Sequence, residues 1–348
     1  MRTLIFTDIH GCATEFKILL DHLHLKDGDQ LIFLGDYIDR GPSSREVIDL
    51  ILQLRQNFPI TTLLGNHEQM FLSFLTAPHS SLGKTFLFNG GIATLANYLE
   101  EDPHRLNKKI NNPATTAATA ADLQQAIGPK HRQFLYELEL FYQNQNYFFA
   151  HAGAPATNLN NFDPHDYLEE LLWARDSFTA TPGLNYPWDK LIIHGHTPLV
   201  NAWRDEQHIN LDTGVVYGNK LTCLYLEEMT TFTVKFQGEK TSPLQKQQYQ
   251  RAMQRWAANT TVEARSGDQQ FSFTCLNYSE QGALLSTKIQ QPLLELDTPL
   301  DLIFNLPEGE CYALKGTIIR REEGPQQIAY GIKFLPKQLL HPPHGQAL

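Results

Sequence analysis

Basic residues are in short supply: 28 Lys and Arg stand against 38 Asp and Glu, a net charge of −10 over 348 residues. General nucleic-acid binding wants a basic footprint, so DNA and RNA are not expected partners, although a small local basic pocket is not excluded. Cysteine is also scarce. Cys12, Cys223, Cys275 and Cys311 are scattered without a C-x-x-C spacing, which reads as reduced, cytoplasmic thiols and no structural zinc. No apolar run approaches the roughly 18 residues of a membrane span, and no charged segment with a long apolar core opens the chain. Neither membrane insertion nor a secretory signal is therefore expected. What remains, at 42% hydrophobic and 19% charged residues, is a globular chain long enough for two domains.

The most informative stretch is Leu31 to Gly41, where four apolar residues run into Gly35 and then into Asp36, Asp39 and Arg40. Such a run suits a strand buried on both faces of an α/β sheet, and ligands bind beyond the carboxyl ends of such strands. The pattern recurs. Leu4 to Thr7 leads into Asp8-Ile9-His10-Gly11, and Ile60 to Leu64 into Gly65-Asn66-His67-Glu68. Tyr147 to Ala150 leads into His151, and Leu191 to Ile193 into His194-Gly195-His196. Between the strands, Glu15 to His24 and Pro42 to Gln56 carry helical apolar spacing. In extended chain, residues two apart point to one side, so Asp8 and His10 are expected to converge. From 100 to 142 the texture changes to a helical insertion, with Lys130 to Phe141 expected as one helix.

Asp8, His10, Asp36, Asn66, His151 and His196 thus gather at strand ends. All are oxygen or imidazole donors. Such mixtures suit Mn, Fe or Zn better than Mg or Ca alone. Six donors serve two divalent ions if one carboxylate bridges, and Asp36 is the natural bridge. Two ions roughly 3.5–4 Å apart can activate a water and clamp an in-line phosphoryl displacement.

These motifs resemble the phosphoprotein phosphatase family of binuclear metallophosphoesterases, in its bacterial form. They are Thr7-Asp8-Ile9-His10-Gly11, Gly35-Asp36-Tyr37-Ile38-Asp39-Arg40-Gly41, Gly65-Asn66-His67-Glu68, His151-Ala152-Gly153 and Gly195-His196-Thr197. Thr7 and Ala152 replace family glycines without removing a ligand. The resemblance implies Asp8, His10 and Asp36 on one metal, and Asp36, Asn66, His151 and His196 on the other. His67 would be the general acid, with Asp39 orienting it and favouring its charged form. Arg40 would grip phosphoryl oxygens. Arg175, in Trp173-Ala174-Arg175, resembles the second family arginine. His194 reads as supporting the ligands rather than joining them, and Asp212 either supports the site or makes a turn.

Near Gly238 to Gln250 the composition turns to linker. Beyond it short β-rich segments follow one another: Gln270 to Leu276, Gly282 to Ser286, Leu300 to Phe304, Tyr312 to Arg320 and Ile328 to Phe334. They indicate a small barrel or sandwich. Arg251 and Arg255 form R-x-x-x-R, and Asn277, Ser279 and Gly282 form N-x-S-x-x-G. This is similar to the PilZ domain, a bacterial receptor for cyclic di-GMP. The resemblance implies phosphate and guanine contacts from the arginines, base or ribose contacts from Asn277 and Ser279, and close backbone approach at Gly282.

The expected architecture is an α/β metallophosphoesterase fold, a β-sandwich flanked by helices, at 1–240, and a small all-β PilZ-like barrel at 241–348 with an arm at 241–257. The expected activity is a metal-dependent phosphatase regulated by cyclic di-GMP. Because Glu68 completes G-N-H-E, phosphoserine and phosphothreonine proteins lead as substrates. Symmetrical hydrolysis of diadenosine tetraphosphate is the alternative. A third reading is an adaptor that has retired its catalytic site.

Overall fold

The computed structural model describes residues 2–110, 112–174, 188–238, 256–267, 269–279, 282–288, 293–305, 311–323, 327–334 and 346–347. The chain divides into two compact units, the second comprising the described residues between 256 and 334. Among the described residues no helix is long and apolar enough to cross a membrane.

In the first unit, β1 (Thr3–Phe6), β2 (Gln30–Phe33) and β3 (Ile60–Thr62) run parallel. They alternate with α1 (Ala13–Leu23) and α2 (Ser44–Leu54). A helical run follows: α3 (Asn66–Thr76), α4 (Ser81–Phe86), α5 (Ile92–Leu99), α6 (Pro103–Lys109), α7 (Pro113–Ala126) and α8 (Pro129–Tyr136). The second sheet is built on β4 (Phe141–Gln143), β5 (Tyr147–Ala150), β6 (Leu191–His194), β7 (Trp203–Arg204) and β8 (His208–Asn210), in the order β7-β8-β6-β5-β4. Residues Gln346–Ala347 pair with β7 at its outer edge. The antiparallel strands β9 (Lys220–Tyr225) and β10 (Thr230–Lys235) complete the first sheet, in the order β10-β9-β1-β2-β3.

Side-chain alternation explains the layering. Leu4, Phe6, Leu31 and Phe33 face the helices, where Phe16, Val47, Ile51, Phe71 and Leu95 complete a core. Their neighbours Ile5, Ile32 and Leu34 face the other sheet and pack with Phe149, Ile193 and Ile209. A strand buried on both faces has no polar position to spare, hence the unbroken apolar run. The result is a β-sandwich with helices over its outer face.

Leu106, Leu123 and Phe134 join the same helical core, so the 100–142 region packs into the domain. The helix expected over Lys130 to Phe141 stops at Tyr136. Glu139 donates its N–H to Thr62 O (3.1 Å) and accepts from Leu64 N (2.7 Å). These backbone bonds draw the chain onto the edge of β3 and start the second sheet.

The second unit is a closed antiparallel barrel of β11 (Trp256–Ser266), β12 (Gln269–Ser279), β13 (Gly282–Lys288), β14 (Pro299–Asn305), β15 (Cys311–Glu323) and β16 (Gln327–Phe334), ordered β11-β12-β13-β16-β15-β14. Val262, Phe271, Phe273, Leu285, Leu302, Ile318 and Tyr330 fill it. Closure leaves no free sheet edge, which removes the usual hazard of a small all-β unit.

Candidate active site

The carboxyl ends of β1, β2, β3, β5 and β6 converge on one buried rim. The turns leaving them are tight, and Asp8, His10, Asp36, Asp39, Arg40 and His196 all have positive φ, between 47° and 72° in this set. L-residues held in that region are costly and persist where surrounding bonds over-determine them. Asp8 and His10 are therefore not in extended chain, as their spacing suggested. They meet through a left-handed turn pinned by His10 N to Asp36 O (2.9 Å) and Gly11 N to Tyr37 O (2.8 Å).

Glu68 accounts for much of that pinning. Its carboxylate accepts the backbone N–H groups of Asp36 (2.9 Å), Tyr37 (2.8 Å), Ile38 (3.2 Å) and Gly65 (3.1 Å). Glu68 is consumed by the turn that carries Asp36. Its presence in G-N-H-E consequently reports scaffold, and the substrate preference drawn from it has no structural basis.

Asp36 stands at the centre. One carboxylate oxygen lies 3.4 Å from His10 Nε2 and the other 3.3 Å from His151 Nε2. Asp8 Oδ1 is 4.0 Å from His10 Nε2, and its Oδ2 accepts from Thr7 Oγ1 (2.5 Å) and His196 N (3.0 Å). Thr7, a departure from the family glycine, thus holds the Asp8 carboxylate. Gly195 permits the approach, because a Cβ there would lie 2.1 Å from Asp8 Oδ2. His151 Nε2 also faces Asn66 Oδ1 and His196 Nδ1, each at 3.1 Å.

The second ring nitrogens decide what these atoms can do. His10 Nδ1 donates to Ile38 O (2.8 Å), His151 Nδ1 to Leu34 O (3.0 Å) and His196 Nε2 to Trp173 O (3.2 Å). Each ring therefore turns its lone-pair nitrogen towards the carboxylates. Burial, and after it the charge of Arg40, hold His10 well below the ordinary imidazole range, which keeps it neutral. Lone pairs from imidazole, amide and carboxylate crowded within hydrogen-bonding distance fit divalent cations, and thiolates are absent from the set. Two groups of three, His10–Asp36–His67 and Asp36–His151–His196, have mutually close ligand atoms.

His67 sits beside them. Its Nδ1 donates to Asp39 Oδ2 at 2.6 Å. Its buried Nε2, 3.9 Å from Asp36 Oδ2, has no hydrogen-bond partner among the described residues. Burial first, then Arg40, hold His67 well below the ordinary imidazole range, so the expected pull of Asp39 towards the charged form is outweighed. Arg40 is half-buried, with its guanidinium carbon 5.3 Å from the centre of the Tyr217 ring and Nη1 against His10 Nε2.

Residues 1–225 match the calcineurin-like phosphoesterase family, and residues 245–340 match the PilZ domain. The chain belongs to the calcineurin-like phosphoesterase family. It carries a PilZ domain at its C-terminal side. A protein of Oceanobacillus iheyensis named bis(5'-nucleosyl)-tetraphosphatase PrpE (asymmetrical) is 30% identical over 249 residues, covering 66% of this chain and 90% of that one. The Bacillus subtilis protein of the same name is 26% identical over 247 residues, covering 66% and 93%. The crystal structure of a metallophosphoesterase from Sphaerobacter thermophilus is 17% identical, with a TM-score of 0.42 over 68% of this chain and 89% of that one. Family membership implies divalent metal ions in the phosphoesterase domain.

Beside its donor set the phosphoesterase domain places two residues the sequence left open. His194 stacks on His208 at 5.5 Å and its Nδ1 faces Gly195 O, with burial pushing it down to about 3. Asp212 makes a turn by accepting Gly214 N (2.9 Å), and burial followed by the Asp8 charge pushes its carboxyl well up. Arg175 lies outside the described residues. So do Arg251 and Arg255 of the PilZ region. In the PilZ barrel Ser279 pairs with Gly282 across the β12–β13 hairpin, and Asn277 pairs with Leu284 just after a register shift.

Three contributors carried no signal that sequence reading used. Ser44 and Thr94 bond the Asp39 end of the acid pair, and Tyr217 supports Arg40. The paired glycines of Asn89-Gly90-Gly91 are a cue to the close approach of Gly90 to Arg40, and they carry no cue for Thr94.

Proposed function

We propose that the phosphoesterase domain hydrolyses phosphoric esters and anhydrides with two divalent cations, and that its substrates are nucleotides joined through a polyphosphate bridge. The observation that carries the reaction is the two-sided Asp36 carboxylate, facing His10 at 3.4 Å and His151 at 3.3 Å. Asp8, His10 and Asp36 would hold one ion, and Asp36, Asn66, His151 and His196 the other. Manganese is the first choice, iron or zinc the next. When bound, such ions supply Lewis acidity towards the phosphoryl group and the attacking water.

The chain itself does the rest. Arg40, braced on Tyr217, binds phosphoryl oxygens through its planar fork. Arg175, two residues past Trp173, is proposed as a second phosphoryl-binding arginine. His67 Nε2 delivers a proton to the leaving oxygen, while Asp39 holds Nδ1 and balances the imidazolium charge. A phosphoryl anion beside Arg40 offsets the Arg40 charge, which lowers His67 second to burial.

The names of the Oceanobacillus and Bacillus relatives support a dinucleoside tetraphosphate substrate. Phosphoserine and phosphothreonine proteins are the second reading, favoured by the 2.6 Å His67–Asp39 contact. An alkoxide leaving group needs a proton more than a nucleotide does. The PilZ region, divided from the phosphoesterase near residue 240, would bind cyclic di-GMP through Arg251, Arg255, Asn277, Ser279 and Gly282. The arm at 241–257 is where such a ligand would bind active and inactive arrangements with different free energy.

The test is turnover of diadenosine tetraphosphate and of a phosphothreonine peptide with Mn, each with and without cyclic di-GMP. Faster dinucleotide hydrolysis, abolished by Asp36→Ala, is expected. Faster peptide hydrolysis selects the second reading. No turnover by protein of verified metal content leaves the retired adaptor. Calorimetry with cyclic di-GMP should show weaker binding for Arg255→Ala, and equal affinity removes Arg255 from the site.

A further inference from the structure

Asp39 is clamped from a helix far along the chain. Thr94, on α5, is fully buried and lies 55 positions beyond Asp39. Its hydroxyl donates to Asp39 Oδ1 (2.5 Å) and accepts the Asp39 N–H (3.0 Å). Ser44 Oγ, equally buried, stands 3.0 Å from Thr94 Oγ1 and accepts the same N–H at 3.1 Å. The donor order is forced. Thr94 has one hydroxyl proton and spends it on a carboxylate, so Ser44 must donate to Thr94. A buried helical threonine ordinarily bonds a carbonyl in its own preceding turn; this one reaches out to Asp39 instead.

One helical turn earlier, Gly90 (φ +102°) grips the next residue. Its carbonyl accepts the N–H of Arg40 (3.2 Å), and a Cβ at Gly90 would lie 2.6 Å from Arg40 Cγ. Gly90 and Thr94 therefore fasten two consecutive left-handed residues, Asp39 and Arg40. Each carboxylate oxygen of Asp39 then has one short partner, Thr94 on Oδ1 and His67 on Oδ2. Rotation of the carboxylate breaks both bonds at once.

We propose that Thr94, backed by Ser44, is a positioning residue that aims the Asp39 carboxylate at His67. This rests on the reading of His67 as the proton donor. Without the Thr94 hydroxyl the carboxylate gains rotational freedom and the His67 ring loses its alignment. The chemical consequence falls on substrates whose leaving oxygen most needs a proton.

The test compares Thr94→Val, Thr94→Ser and Ser44→Ala with wild type, all in the Mn-loaded full chain, on phenyl phosphate and p-nitrophenyl phosphate. For Thr94→Val, kcat on phenyl phosphate should fall about tenfold or more, with KM unchanged and a loss of about threefold or less on p-nitrophenyl phosphate. Thr94→Ser should restore wild-type behaviour, and Ser44→Ala should fall between. In metal-free protein, the low-field proton resonance of His67 Nδ1 should move in Thr94→Val and stay in Thr94→Ser. Equal losses on both substrates, or a serine variant as impaired as the valine one, would overturn the proposal. If wild type hydrolyses neither ester, hydrolysis of phosphomonoesters is excluded, and the clamp stands or falls on the resonance: an unmoved signal in Thr94→Val overturns it.

Discussion

Replacing Glu68 by glutamine should loosen the turn that carries Asp36, and the size of the effect follows from four bonds. One carboxylate oxygen accepts Tyr37 N and Ile38 N, and the other accepts Asp36 N and Gly65 N, at 2.8–3.2 Å. Glutamine keeps one acceptor oxygen and sets an amide donor against the other two N–H groups. Two charge-assisted bonds are lost, at roughly 1.5 kcal/mol each, so about 3 kcal/mol in all. The amides of residues 36–38 should then exchange about a hundredfold faster, because local opening costs that much less. Hydrogen exchange on the peptide spanning Leu31 to Gly41 measures this directly. Activity should fall with it, since Asp36 is held in the left-handed region (φ 56°). A paired variant, Glu68→Asp, separates scaffold from substrate selection. Rates on phosphopeptide and dinucleotide should drop in proportion, with their ratio unchanged. Unaltered exchange in the glutamine variant, or a selective gain on dinucleotide in the aspartate one, would refute the reasoning.

Three further outcomes follow from the same geometry. Gly195→Ala should abolish hydrolysis and weaken Mn binding by calorimetry, because its Cβ would lie 2.1 Å from Asp8 Oδ2 and 2.2 Å from Thr7 Oγ1. Chelation should remove activity, and adding Mn back should restore it in wild type but not in Asp36→Ala, as read by p-nitrophenyl phosphate turnover. Asp29 is held below its ordinary carboxylate range, first by its bond with Arg2 (2.5 Å) and also by Lys26 N. A depressed carboxylate stabilises the fold above its unfolded value and loses that contribution as pH falls through the folded one. Asp29→Asn should therefore lower thermal stability by about 1 kcal/mol at neutral pH, with the difference shrinking below about pH 4.

The residues that meet at the rim were legible because each follows an apolar run and adjoins a glycine turn. Contiguity along the chain is what a motif records. The barrel was legible for a similar reason, since short alternating strands carry a period of two. The helical segments between Asn66 and Leu99 were less so, and the 100–142 region showed no chemistry because its contribution is packing: Leu106, Leu123 and Phe134 fill the common core.

By itself, then, the chain's own order determined the fold class, the donor atoms near the rim and the presence of two units. Tertiary structure alone decided that Glu68 serves four backbone amides, that Trp173 orients His196, and that Thr94 and Gly90 fasten Asp39 and Arg40. The physical reason is that hydrogen-bond partners are selected by distance through space. A threonine 55 positions from the carboxylate it holds has no period, spacing or composition that could announce it.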